Sequence, residues 1–232
     1  MKIDFLSDIN KGYEKALNYN GTDQFILKLF WWHLGIYIVV ALLNSVVKIA
    51  NFYPSPLSWR VIDPTAAVIT IIIAVMATGL VVFSHGKTKN HYHWRALATA
   101  ALTIYSYLFV YISGGSIEMH FHFFMAAAVL SVFADWRLGW ILLLFTALHH
   151  GILNFVEPGW VYFYGRNDFA VVSHAVPVLV TVIFTTILCA NYRNVVVDLE
   201  ETKKARDKEL DQIDKLLTEK ETMAAKQWDK SK

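Results

Sequence analysis

Residues 168–191 read DFAVVSHAVPVLVTVIFTTILCAN, and this stretch decides the fold. After Asp168 it holds no Asp, Glu, Lys or Arg, and its length is that of a helix crossing a hydrocarbon core, which takes about 20 apolar residues. It also carries His174 and, one turn later, Pro177. Ionisable side chains at membrane depth are costly and turn toward the bundle interior, so His174 is a candidate functional residue.

Upstream, five more segments have the same character: roughly 26–50, 64–84, 95–113, 118–135 and 138–156. The fourth and fifth are short and closely connected. The 232 residues are 56% hydrophobic with mean hydropathy +0.40, too apolar for an ordinary soluble domain. Charge is uneven: residues 198–232 hold 19 Asp, Glu, Lys and Arg, against 15 in residues 21–197. The expected architecture is an all-α, six-span membrane bundle over residues 26–191. A cytoplasmic segment precedes it at 1–25, and a helical linker or coiled coil follows at 192–232. The polar opening MKIDFLSDINKGYEKALNYN has no apolar core and reads as no cleavable signal. Cys189 is the single cysteine, so no intrachain disulfide forms.

Six spans put both termini on one side. Lys2, Lys11, Lys15, Lys28, Lys87, Lys89, Arg95, Arg137 and Arg193 then share a side, while the opposite loops carry chiefly Lys48, Arg60 and Arg166. The positive-inside rule makes the termini cytoplasmic. Trp31, Trp32, Trp94, Trp136 and Trp140 fall near the inner edge and Trp59 and Trp160 near the outer, as interfacial belts do.

On this topology His120 and His122 open the fourth span, His150 lies in the outer half of the fifth and His174 starts the sixth, so four imidazoles share one depth. Thr146, His150 and Asn154 are spaced by four and form a polar stripe, whereas His149 shares a face with Phe145 and Leu153, which favours His150. His120 and His122 stand about 200° apart on a regular helix and meet one centre only if the chain after Gly114 and Gly115 is irregular. Glu118 and Tyr111 are near in depth as further ligands or hydrogen-bond acceptors, with His149 and Asn154 as lesser candidates. Imidazole-only ligation suits copper or zinc, with iron as a further choice, and argues against calcium or magnesium. Haem b held axially by two histidines is the competing cofactor, and Ala126, Ala127, Ala128 and Gly151 leave room for it. Asp135-Trp136-Arg137 reads as an anchoring turn of an acid, an interfacial aromatic and a base. The loop HGKTKNHYH, residues 85–93, reads as a basic segment at anionic headgroups, and His33 as a packed or interfacial histidine.

The tail from Asp198 to Trp228 lacks Pro and Gly, and Leu199, Leu210, Ile213, Leu217 and Ala224 recur at three/four spacing. A parallel dimeric helix continuing the sixth span fits this pattern, about 50 Å long. No GxxxxGK[ST], GxSxG or HExxH motif is present, and a net charge of +2 gives no sign of a nucleic-acid partner.

The run GGSIEMHFHFF at 114–124, then DWR at 135–137, LHHGILNF at 148–155 and SHA at 173–175, resembles the multi-span membrane sensory region at the N-terminus of bacterial chemoreceptors, sensor histidine kinases and diguanylate cyclases. The likeness covers roughly residues 90–180, and its matching residues are His120, His122, Asp135, Trp136, Arg137, His150 and His174. It implies sensing and dimeric signalling in a bacterial inner membrane; enzymatic activity of this chain itself is not expected. No methyl-accepting, kinase or cyclase domain follows the helix, so output is expected from a partner or from a domain outside this sequence. The competing expectation is a haem- or metal-containing membrane redox enzyme or electron carrier.

Overall fold

The computed structural model describes residues 19–48, 51, 60–87 and 91–231. The expectations resting on Lys2, Lys11, Lys15, Trp59 and Lys89, and on most of the N-terminal segment, lie outside them. Among the described residues the regular structure is entirely helical: α1 (Tyr19–Ser45), α2 (Pro64–Ser84), α3 (His91–Ile112), α4 (Ile117–Leu130), α5 (Trp136–Val156) and α6 (Asp168–Lys230). Short 3₁₀ turns follow α4 at Ser131–Phe133 and α5 at Pro158–Trp160. The chain divides into two compact units, one of them Tyr19–Ala190 and the other containing the tail from Asn191.

Five of these helices, α1, α2, α3, α5 and α6, are long and apolar enough to cross a membrane. The apolar stretch around α4 is shorter, Ile117–Phe133. Its 14 α-helical residues span about 21 Å, less than the roughly 30 Å of a hydrocarbon core.

Local chemistry sets the helix boundaries. Pro64 opens α2, and the carboxylate of Asp63 accepts from Thr65 N at 2.8 Å and Ala66 N at 3.2 Å. Gly114 (φ +71°) and Gly115 (φ +83°) turn the chain after α3, and Ser116 caps α4 by accepting from Met119 N. Ala134 sits in the left-handed region before Asp135, which caps α5 through Arg137 N. The Arg137 guanidinium closes back on Asp135 at 2.8 and 2.6 Å and lies over the Tyr92 ring, while Trp136 is half exposed. This turn therefore ties the start of α5 to the start of α3.

Helix α3 is the hub, packing against α1, α2, α4 and α5. Its apolar window is 67% buried, against 11% for that of α6. Enclosure on all sides explains why the least apolar of the spans lies deepest: Ala98, Ala101, Thr99, Thr103 and Ser106 are all buried, and small residues let neighbouring backbones approach closely. The hydroxyls of Thr99, Thr103 and Ser106 satisfy themselves on the carbonyls one turn back.

Two sequence expectations change here. The described part of helix α1 reaches back to Tyr19, beyond the expected span start near residue 26, and carries Asp23 buried against His91 (3.4 Å) and Arg95 (3.7 Å) of α3. Its charge is compensated, so the helix carries it inside the fold. Trp94 is no belt residue: it is 3% exposed and its indole donates to Val81 O at 3.0 Å.

The tail by itself is solvent-exposed along its length. Lys215 pairs with Asp211 one turn away at 2.7 Å, and Leu210, Ile213 and Leu217 are more than half exposed.

Candidate functional site

Three of the four expected histidines come together. His120 on α4, His150 on α5 and His174 on α6 have ring centres 5.0 Å (120–174), 5.4 Å (120–150) and 6.0 Å (150–174) apart. All three line one cavity of about 300 Å³, whose remaining walls are mainly apolar side chains of the same helices, including Phe124, Leu143 and Val171. His120 and His150 are buried and His174 is half buried.

Each ring is oriented by its own helix. Nδ1 donates to the carbonyl four residues back: His120 to Ser116 (2.7 Å), His150 to Thr146 (2.9 Å) and His174 to Ala170 (2.8 Å). A carbonyl only accepts, so Nδ1 carries the hydrogen and a neutral ring keeps its lone pair on Nε2. The Nε2 atoms of His120 and His150 are buried without a hydrogen-bond partner. A backbone carbonyl fixing one ring nitrogen while the other stays available is the arrangement of metal-binding histidines. Among the described residues no group of three or more His, Cys, Asp or Glu side chains is placed to hold a metal ion as it stands.

His122 stands apart. Helix α4 is regular from Ile117, because the irregular backbone ends at Gly115, so residues 120 and 122 face different ways. His122 donates from Nδ1 to Ser106 Oγ (2.8 Å), which spends its own hydrogen on Leu102 O, and packs edge-on against His33 at 5.3 Å and against Phe109 at 4.8 Å. His33 is held by Leu29 O at 2.8 Å. This second pair faces α1 and α3, away from the expected four-histidine set.

The other candidates make different contacts, although the His149 ring centre is 5.1 Å from that of His150. His149 stacks flat on Tyr107 at 3.9 Å. Asn154 holds the approach to α6, donating to Asp168 Oδ1 (2.8 Å) and accepting from Asn167 N (3.1 Å). Tyr111 packs on Trp160, and Glu118 is exposed. Of the loop histidines, His85 packs on Trp94 and His91 on Asp23.

Two residues without an expected site role stand at this end of the bundle. Tyr162, 1% exposed, lies 5.4 Å from His174, 5.9 Å from His150 and 6.2 Å from His120, and its hydroxyl has no hydrogen-bond partner. Burial pushes its phenol pKa up. Of the aromatic loop WVYFY only Trp160 has a reading from sequence, as a belt residue, and nothing in the sequence marks Tyr162. Arg60 spans the turns beside it, donating to Gly114 O at 3.3 and 3.2 Å and to Gly159 O, while Asn44 holds Arg60 O at 2.8 Å.

Comparison with known proteins adds one relationship. Over 70 residues the chain is 41% identical to Transducer protein Htr8 of Halobacterium salinarum, covering 29% of this chain and 10% of that protein. The chain therefore corresponds to a small part of that relative. No family model matches, and no solved structure matches.

Proposed function

We propose that this chain is the membrane-embedded sensory module of a signal transducer, holding one transition-metal ion, copper or zinc, through His120, His150 and His174. The observation that carries the proposal is the cluster itself: three imidazoles from three helices, each pinned through Nδ1, around one cavity. A ring bound through Nε2 to an ion at about 2.0–2.1 Å has its centre about 3.2 Å away, so two rings at tetrahedral to trigonal angles stand about 5.2–5.5 Å apart. Two of the three separations lie close to that range, and the third closes with a small movement of His174, the most exposed of the three. Haem is less well supported: His150 and His174 are near the spacing of two axial rings, about 6.4 Å, but His120 crowds both at 5.4 and 5.0 Å, which leaves little room for a macrocycle.

The signalling half of the proposal draws on the likeness to a transducer protein and on helix α6, which contains both His174 and the tail. Pro177 lies in the same cavity wall and breaks the helical hydrogen-bond ladder one turn from His174. Binding that draws His174 inward would shift α6 at this weak point. The further features are six crossings with α4 as a short one, both termini in the cytoplasm of a bacterial inner membrane, and a homodimer along Leu210, Ile213 and Leu217 of the tail. The tail would pass the signal to a partner or an output domain.

Elemental analysis of purified full-length protein tests the ion. Near one copper or zinc per chain is expected, lost in His120→Ala, His150→Ala and His174→Ala but kept in His122→Ala and His149→Ala. Equal metal content in all five variants would sink the site.

A further inference from the structure

We infer that Tyr162 is the fourth ligand of this centre, binding a divalent transition-metal ion as a phenolate. The inference rests on the three-histidine reading above and names its missing position. Tyr162 is the one residue with ring contacts to all three histidines at nearly equal distance, 5.4, 5.9 and 6.2 Å. A ligating phenolate keeps its ring centre farther from the ion than an imidazole does, at about 4.3 Å, which puts it about 6 Å from the imidazole centres in a tetrahedral site. The observed distances are of that size.

Buried tyrosines normally hydrogen-bond their hydroxyl, yet Tyr162 Oη is buried and has no partner, like His120 Nε2 and His150 Nε2. Three unsatisfied ligand atoms thus occur in one cluster. The backbone that presents Tyr162 is tightly built. Its N–H donates to Pro158 O at 2.8 Å, and Phe163 N donates to Gly115 O at 3.2 Å. Gly115 lies so close that a Cβ there would meet Phe163 N at 2.6 Å and Tyr162 C at 2.7 Å.

Charge points the same way. Three neutral imidazoles would leave the full double charge of the ion in an apolar pocket, which is costly, and an anionic ligand halves it. Glu118 is exposed and Asp168 is committed to Arg166 and Asn154, so the phenol is the acidic group already in place. Coordination breaks the O–H bond of Tyr162, forms the oxygen–metal bond and releases one proton to solvent for each ion bound.

Copper(II) sulfate titrated into the purified full-length chain in detergent, first stripped of bound metal with a chelator, gives the test. Wild type is expected to bind one copper with a phenolate-to-copper charge-transfer band in the visible. Tyr162→Phe keeps the ring, and is expected to lose the band and to bind copper at least about tenfold more weakly. It should also lose part of the copper-dependent rise in thermal midpoint while keeping the copper-free midpoint. Binding of one copper without the band in wild type, or survival of the band in Tyr162→Phe, removes Tyr162 from the centre and leaves the three histidines standing. A wild type that binds no copper overturns both.

Discussion

Gly115 illustrates how a single residue controls this end of the molecule. Its φ of +83° belongs to the left-handed region, and the space where a Cβ would go is filled by the backbone of Tyr162 and Phe163. Either reason alone disfavours a side chain, and backbone cannot swing aside as a flexible side chain can. Gly115→Ala is expected to lower stability by about 1–3 kcal/mol, read as a drop in the thermal midpoint in detergent. A midpoint equal to wild type would mean that the loop carrying Tyr162 is not held here. The neighbouring histidines make the same point about direction: His120 and His122 differ by two positions, and that angle sends one ring to α5 and α6 and the other to α1 and α3.

At the scale of elements, the helices differ in what surrounds them more than in how apolar they are. Helix α3 has modest hydropathy because its polar side chains meet protein on every side. Its Arg95 lies 3.7 Å from Asp23 of α1 and stacks over Phe133, just beyond α4. Both charges are buried, so removing one leaves the other in a poor environment. Asp23→Asn is expected to destabilise the bundle by about 3–5 kcal/mol, measured by thermal or denaturant unfolding in detergent. A loss below about 1 kcal/mol would mean that this pair does not couple α1 to α3. Hydropathy found the long helices, as the agreement at 64–84 illustrates. It left Asp23 outside the first span, because a charge paired within the fold looks the same in sequence as one at the water boundary.

For the whole molecule, orientation is the property that an experiment settles most directly. With Cys189→Ser as background, Glu157→Cys at the end bearing Arg60 is expected to react with a membrane-impermeant maleimide added outside intact cells. Lys87→Cys at the opposite end should react only after lysis; the reverse pattern would invert the topology and move the histidine cluster to the cytoplasmic side. The amino-acid sequence by itself determined the helical membrane character, the separate charged tail, the shared depth of His120, His150 and His174, and the preference for His150 over His149. Each of those follows from hydropathy or from the 3.6-residue period, which are local quantities. Only the tertiary structure decided that His122 joins His33 and that Asp23 finds Arg95. It alone showed Tyr162 packed beside the three histidines. Those outcomes depend on the rotation of each helix about its axis and on loops crossing the bundle end, which are set by packing between segments distant in the chain.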